Sequence, residues 1–127
     1  MNFSSLEVAA MSLFAGTMMR ADGYNSRSET NLISKQFLSM GVDPEKAISA
    51  GISLGLDSAI HVIKGMPYRK KLFVVGFLTA IMGIDDDYDD NEYKVLSAIK
   101  NKIGEPDMDA AEAIKLYANL HDIVGVD

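Results

Sequence analysis

The sequence predicts an all-α fold, and three observations carry that expectation. Apolar residues recur at helical spacing nearly throughout, the chain repeats itself at one fixed offset, and no run alternates like a strand. The repeat is the most specific of the three. Asp22-Gly23-Tyr24-Asn25-Ser26-Arg27-Ser28-Glu29 is matched 63 positions later by Asp85-Asp86-Asp87-Tyr88-Asp89-Asp90-Asn91-Glu92. The same offset aligns Phe14 with Phe77, Met18 with Ile81, Leu32 with Val95, and Met40-Gly41 with Ile103-Gly104. Each copy reads as an apolar helix, an acidic turn and a second amphipathic helix.

Taken in order, residues 4–20 place Leu6, Ala9, Ala10, Leu13, Phe14 and Thr17 on one helix face. Asp22-Gly23 stops that helix, glycine being suited to a left-handed turn past a helix end. Ser26 and Glu29 form a capping-box pair for the next helix, which runs to about Met40 and ends at Gly41. Asp43-Pro44-Glu45 opens a third, with Asp as cap and Pro at the first helical position. This stretch, 44–64, has Gly51 and Gly55 as places to break. Gly65-Met66-Pro67 separates the halves. Residues 68–84 form the most apolar helix, expected to run through the middle of the fold. Asp89 and Glu92 repeat the capping box and open a helix ending near Gly104. Pro106-Asp107 precedes a last helix at about 108–123. Hairpin signals are missing, and Val74, Val75, Val95 and Val124 sit inside helical patterns. The expectation is a single-domain bundle of six or seven helices over 1–127. Its two pseudo-two-fold-related helix–turn–helix repeats span about 4–64 and 68–124, with Phe14, Met18, Phe77 and Ile81 in the core.

Composition narrows the function classes. The chain has 127 residues and a net charge of −6, which argues against nucleic acid as a partner, since that needs a basic face. Without cysteine, disulfides, thiolate metal sites and a cysteine nucleophile are excluded. The N-terminus lacks a basic start and carries Glu7, so no signal peptide is expected. The longest apolar stretch, Leu72 to Ile84, is short of the roughly 20 residues that span a bilayer. A cytoplasmic, non-transmembrane protein is the expectation.

The two acidic turns are the chemical candidates. Carboxylates near helix N-termini are favoured by free amides and the helix dipole, which accounts for Glu29, Glu92 and Asp89 without a ligand. It does not account for six acids among the eight positions from Asp85 to Glu92, which repel one another. If the halves pack about a pseudo-two-fold axis, Asp22, Glu29, Asp85 and Glu92 converge. Four carboxylates without sulfur or imidazole suit hard cations such as Mg²⁺, Ca²⁺ or Mn²⁺. Neither common loop motif fits. An EF-hand from Asp85 has Asp90 where Gly belongs and Leu96 where the closing Glu belongs. A di-iron bundle needs Glu-x-x-His, but Leu32 and Val95 stand at the histidine positions.

The remaining features read as architecture. His61 and His121 are not equivalent in the repeat and have apolar neighbours, which favours structural roles. His121-Asp122 alone is a weak hydrolase signal, and no serine has a nucleophile-elbow setting. Ala47, Gly51, Gly55 and Ala59 make a stripe of small residues every fourth position, admitting a close helix either within the chain or in a homodimer. Lys64, Arg69, Lys70 and Lys71 read as a solvated helix start that polarises the molecule. The eight methionines read as adaptable core filler.

Met18-Met19-Arg20-Ala21-Asp22-Gly23, with Glu29 seven residues after the Asp, resembles the Ala-Asp-Gly…Glu signature of TerB-like domains. These are named for the tellurite-resistance protein TerB and also occur at the N-terminus of DjlA-type membrane J-proteins. Ile81-Met82-Gly83-Ile84-Asp85 through Glu92, closed by Ile103-Gly104, resembles the family's second copy, with Asp86 where that copy often has Gly. The resemblance covers about residues 6–123. It implies an all-helical fold of repeated halves, an acidic site for a divalent metal (Ca, Mg, Mn or Zn), and roles in stress response or protein assembly. Carried onto this chain, the matching positions are Asp22, Glu29, Asp85 and Glu92. The leading expectation is a non-enzymatic, cation-binding TerB-like domain acting with a protein partner. A metal-free helical adaptor whose acidic turn engages a basic protein surface is the second, and a metal-dependent hydrolase the third.

Overall fold

The computed structural model describes residues 1–21, 26–84 and 90–127. Within them the chain forms β1 (Asn2–Phe3), α1 (Ser5–Arg20), α2 (Arg27–Ser39), α3 (Pro44–Leu54), α4 (Leu56–Lys64), α5 (Tyr68–Gly83), α6 (Asp90–Lys102), α7 (Ala110–Leu120) and β2 (Gly125–Val126). The all-α expectation holds. The bounds of α1 and α2 recur in α5 and α6 at the offset of 63 seen in the sequence.

Local chemistry explains most boundaries. Ser4 and Glu7 close a reciprocal capping box on α1. Ser26 Oγ accepts from the Glu29 amide at 2.9 Å to start α2, and Asp43 caps α3 ahead of Pro44. Helices α2 and α6 end alike. Gly41 (φ 80°) and Gly104 (φ 83°) turn left-handed, so Val42 N–H reaches Phe37 C=O and Glu105 N–H reaches Lys100 C=O at 2.9 and 2.8 Å.

At the centre lies α5, with ten of its sixteen residues buried, as befits a helix apolar nearly all round. It packs against α7, α1, α6 and α2, while α1 packs against α3 and α4. Phe14, Met18, Phe77 and Ile81 are fully buried where these helices meet the core. Aromatic rings run through the interior: Phe3 lies 5.3 Å from Phe73, Phe73 lies 5.2 Å from Tyr117, and Tyr117 stacks on Phe77 at 5.7 Å. One buried polar pair interrupts this core. Tyr117 Oη donates to Gln36 Oε1 at 2.7 Å, and Gln36 Nε2 donates to the His121 carbonyl at 3.0 Å. These bonds tie α2 to the end of α7.

Two close helix contacts depend on glycine. A Cβ on Gly51 would lie 2.7 Å from the Ala9 carbonyl and 3.1 Å from the Leu13 amide, so α3 meets α1 backbone to backbone. A Cβ on Gly76 would lie 2.2 Å from the Ala113 carbonyl and 2.7 Å from Tyr117 Cβ, so α5 meets α7 still more closely.

Several expectations need correction. The small-residue stripe stops at Gly51, because Gly55 breaks the helix: at φ 82° it ends α3 and precedes α4, with nothing near its Cβ position. The last helix is Ala110–Leu120 rather than 108–123, since Asp109 is the residue whose side chain caps it, accepting from the Ala111 amide. A short parallel β1–β2 pair, Asn2 against Gly125 and Phe3 against Val126, joins the two ends of the chain. The basic cluster is only partly a solvated helix start. Lys70 Nζ pairs with Glu7 at 2.9 Å and sits 5.3 Å from the centre of the Phe3 ring, while the buried Lys71 pairs with Glu105 at 3.3 Å.

Candidate functional site

The acidic turns occupy corresponding places, between the end of α1 and the start of α2, and between the end of α5 and the start of α6. Of the four proposed ligands, Glu29 and Glu92 lie in the first turns of α2 and α6. Asp22 and Asp85 lie outside the described residues, as does Asp89 with its proposed capping role. Among the described residues, no three histidine or acidic side chains are grouped to hold a metal.

The two glutamates have an environment that composition alone does not reveal. Glu29 is 4% exposed and Glu92 3%, among the most buried polar side chains of the described residues. Each stands at the head of its helix's inward stripe. In α2 the stripe continues through Ile33, Gln36 and Phe37, and in α6 through Leu96 and Ile99, all buried. Both carboxylates thus occupy positions where helical periodicity would put an apolar residue. Removing an ionised carboxylate from water is costly unless hydrogen bonds or a cation compensate. Placement at a helix N-terminus offsets part of that cost through free amides and the dipole.

The described residues on either side of the first acidic segment are well bonded. Ser26 is buried, and Thr30 Oγ1 donates to the Ser26 carbonyl at 3.0 Å and approaches Met19 Sδ at 3.5 Å. Beside the second turn two large apolar side chains face solvent, Ile84 (43% exposed) and Tyr93 (46%). Among the described residues neither histidine is grouped with acidic side chains to hold a metal. His61 is exposed on α4, and the exposed His121 follows α7 with its ring 5.6 Å from that of Tyr117.

Reasoning from sequence located both glutamates but not their burial. It missed Gln36 and Tyr117 altogether. The signal for Gln36 was present: it lies seven residues after Glu29 on the stripe that Ile33 and Phe37 define. Tyr117 holds its phenol proton well above the usual range because burial disfavours the charged form. No helix among the described residues is long and apolar enough to cross a membrane.

No family model and no curated protein matches the chain. A solved structure does. The crystal structure of PG1108, a protein of unknown function from Porphyromonas gingivalis W83, is 30% identical in sequence. The likeness covers 94% of this chain and 92% of that one, with a TM-score of 0.78.

Proposed function

This chain belongs to the same family as PG1108, and on that premise we propose that it is a non-enzymatic, TerB-like cation-binding domain. Its ligands are Asp22, Glu29, Asp85 and Glu92, and its role lies in stress response or protein assembly with a protein partner. The observation that supports this reading is the burial of Glu29 and Glu92 at matching positions in two helices 63 residues apart. Helix N-termini favour each carboxylate separately. A hard divalent cation shared with the adjacent aspartates compensates all four charges together, and oxygen-only ligands suit Mg²⁺, Ca²⁺ or Mn²⁺ better than softer ions.

Thermal unfolding in EDTA and in millimolar Mg²⁺, Ca²⁺, Mn²⁺ or Zn²⁺ tests the reading. A cation that binds the folded state raises the melting temperature by mass action. The double variant Asp22→Asn, Asp85→Asn should lose that rise and be no less stable than the parent in EDTA. No rise with any of the four ions, or a rise that survives the double variant, overturns cation binding.

A second reading, a metal-free adaptor, is favoured by Ile84 and Tyr93. Exposed apolar side chains on either side of an acidic run suit a partner with a basic rim and apolar centre. It predicts no metal-dependent shift, so the same measurement separates the two.

A further inference from the structure

The first half of the molecule contains a half-open apolar cavity of about 140 Å³ between α1, α2 and α3. Its walls are mainly Leu13, Met19, Ile33, Ile48 and Ile52, with Ser12, Gly16 and Arg20 contributed by α1. Three features distinguish it from a packing defect. Ser12 is 4% exposed, and its hydroxyl has no hydrogen-bond partner among the described residues. Arg20 is exposed and, among the described residues, has no ion-pair partner. Gly16 lets that guanidinium fold back along α1: a Cβ there would meet Arg20 Nη1 at 3.1 Å and Cζ at 3.6 Å. A cation is therefore laid along an apolar wall, at a position where any side chain on residue 16 would crowd it.

The second half does not copy these residues. At the offset of 63, Val75 stands for Ser12 and Gly83 for Arg20. Packing alone is met there by an apolar residue, so the hydroxyl and the cation are particular to the first half. We infer that this cavity binds a small organic anion with an apolar body: a short-chain carboxylic acid, its carboxylate on Arg20 and its hydrocarbon among Leu13, Ile33, Ile48 and Ile52. Size agrees, since an apolar cavity of about 150 Å³ accommodates a benzene-sized molecule. The net charge of −6 does not forbid an anion, because exposed charges beyond roughly 8 Å are largely screened at physiological salt.

The test is a methyl-detected NMR titration of the full chain with sodium hexanoate and, separately, 1-hexanol. Carrying it out in EDTA keeps the acidic turns free of metal, so the outcome is independent of the cation reading. Hexanoate should shift the Ile33, Ile48 and Ile52 methyls saturably. Its affinity should exceed that of hexanol by roughly ten-fold, the contribution of one charge-assisted hydrogen bond. Arg20→Gln changes an exposed residue, should leave the spectrum of the core intact, and should abolish the preference. Gly16→Leu should block binding of both. Hexanol binding as tightly as hexanoate, a preference that survives Arg20→Gln, or the absence of saturable shifts at these methyls overturns the inference.

Discussion

Replacing Gly76 with alanine tests how tightly the central helix is gripped. The added methyl would start 2.2 Å from the Ala113 carbonyl oxygen and 2.7 Å from Tyr117 Cβ. The first of these is backbone and the second is fixed to it, so neither gives way by rotating. Helix α7 must retreat by about 0.8 Å to bring the closest contact to 3.0 Å, and a gap of that size forfeits about a quarter to a half of the dispersion energy across the contact. Tyr117 moves with it, weakening the stack on Phe77 and the bond to Gln36. Overpacking of this kind costs about 1–3 kcal/mol, and a clash with backbone belongs at the upper end. Alanine's better helix propensity returns about 1 kcal/mol, leaving a net loss near 2 kcal/mol. For a chain of this length the melting temperature should fall by roughly 6–10 °C. Calorimetry on the variant measures this directly, with Gly65→Ala as control. Gly65 has ordinary φ (−80°), and the nearest atoms to its Cβ position are at 3.6 Å, so it should shift by less than about 0.5 kcal/mol. A Gly76→Ala protein as stable as its parent refutes the tight α5–α7 contact.

Other perturbations probe different terms. Gly55→Ala meets no neighbour but must adopt φ 82° and ψ 161°, a region nearly reserved for glycine, and should lose about 1–3 kcal/mol in chemical denaturation. Tyr117→Phe leaves the buried Gln36 oxygen without its donor and should lose about 1–3 kcal/mol at neutral pH. The same phenol is protonated more tightly in the folded state. The unfolded chain therefore releases its proton first, and stability should fall as pH rises above about 10, by up to about 1.4 kcal/mol per pH unit. Tyr117→Phe should flatten that alkaline limb, and an unchanged slope would assign it to other groups. Glu29→Gln with Glu92→Gln, nearly isosteric, should abolish any cation-dependent rise in melting temperature. If the rise persists, these glutamates are not ligands.

Helix boundaries were legible where the responsible chemistry is local. Asp43 before Pro44, Ser26 three residues ahead of Glu29, and Gly41 and Gly104 past their helices each act within one turn, so each can be read from a short window. The α5–α7 contact was not, because Gly76 sits in a helix apolar nearly all round, and its meaning depends on Ala113 and Tyr117 about forty residues away. Separation along the chain likewise hid the pairing of Lys70 with Glu7 and of Lys71 with Glu105, and the two-residue strands at the ends. At the candidate site, residue types and spacing identified Glu29 and Glu92. Their burial depends on which face of α2 and α6 turns inward, and the inward stripe shows this only once Ile33 and Leu96 are seen beneath them.

A chain that repeats itself risks docking the right helix on the wrong copy. Here the two glycine contacts oppose that error. Counted from the starts of their helices, Leu13 corresponds to Gly76, and Gly51 to Tyr117. The native pairs are Gly51 against Leu13 and Tyr117 against Gly76, one small and one large residue each time, but on opposite members of the pair. Exchanging partners would set Tyr117 against Leu13 on α1, forcing the helices apart, and Gly51 against Gly76 on α5, leaving a void. Complementary steps of this kind make the mispaired bundle worse at both junctions simultaneously. The opposite placement of small and large residues thus acts as a key, assigning α3 to α1 and α7 to α5.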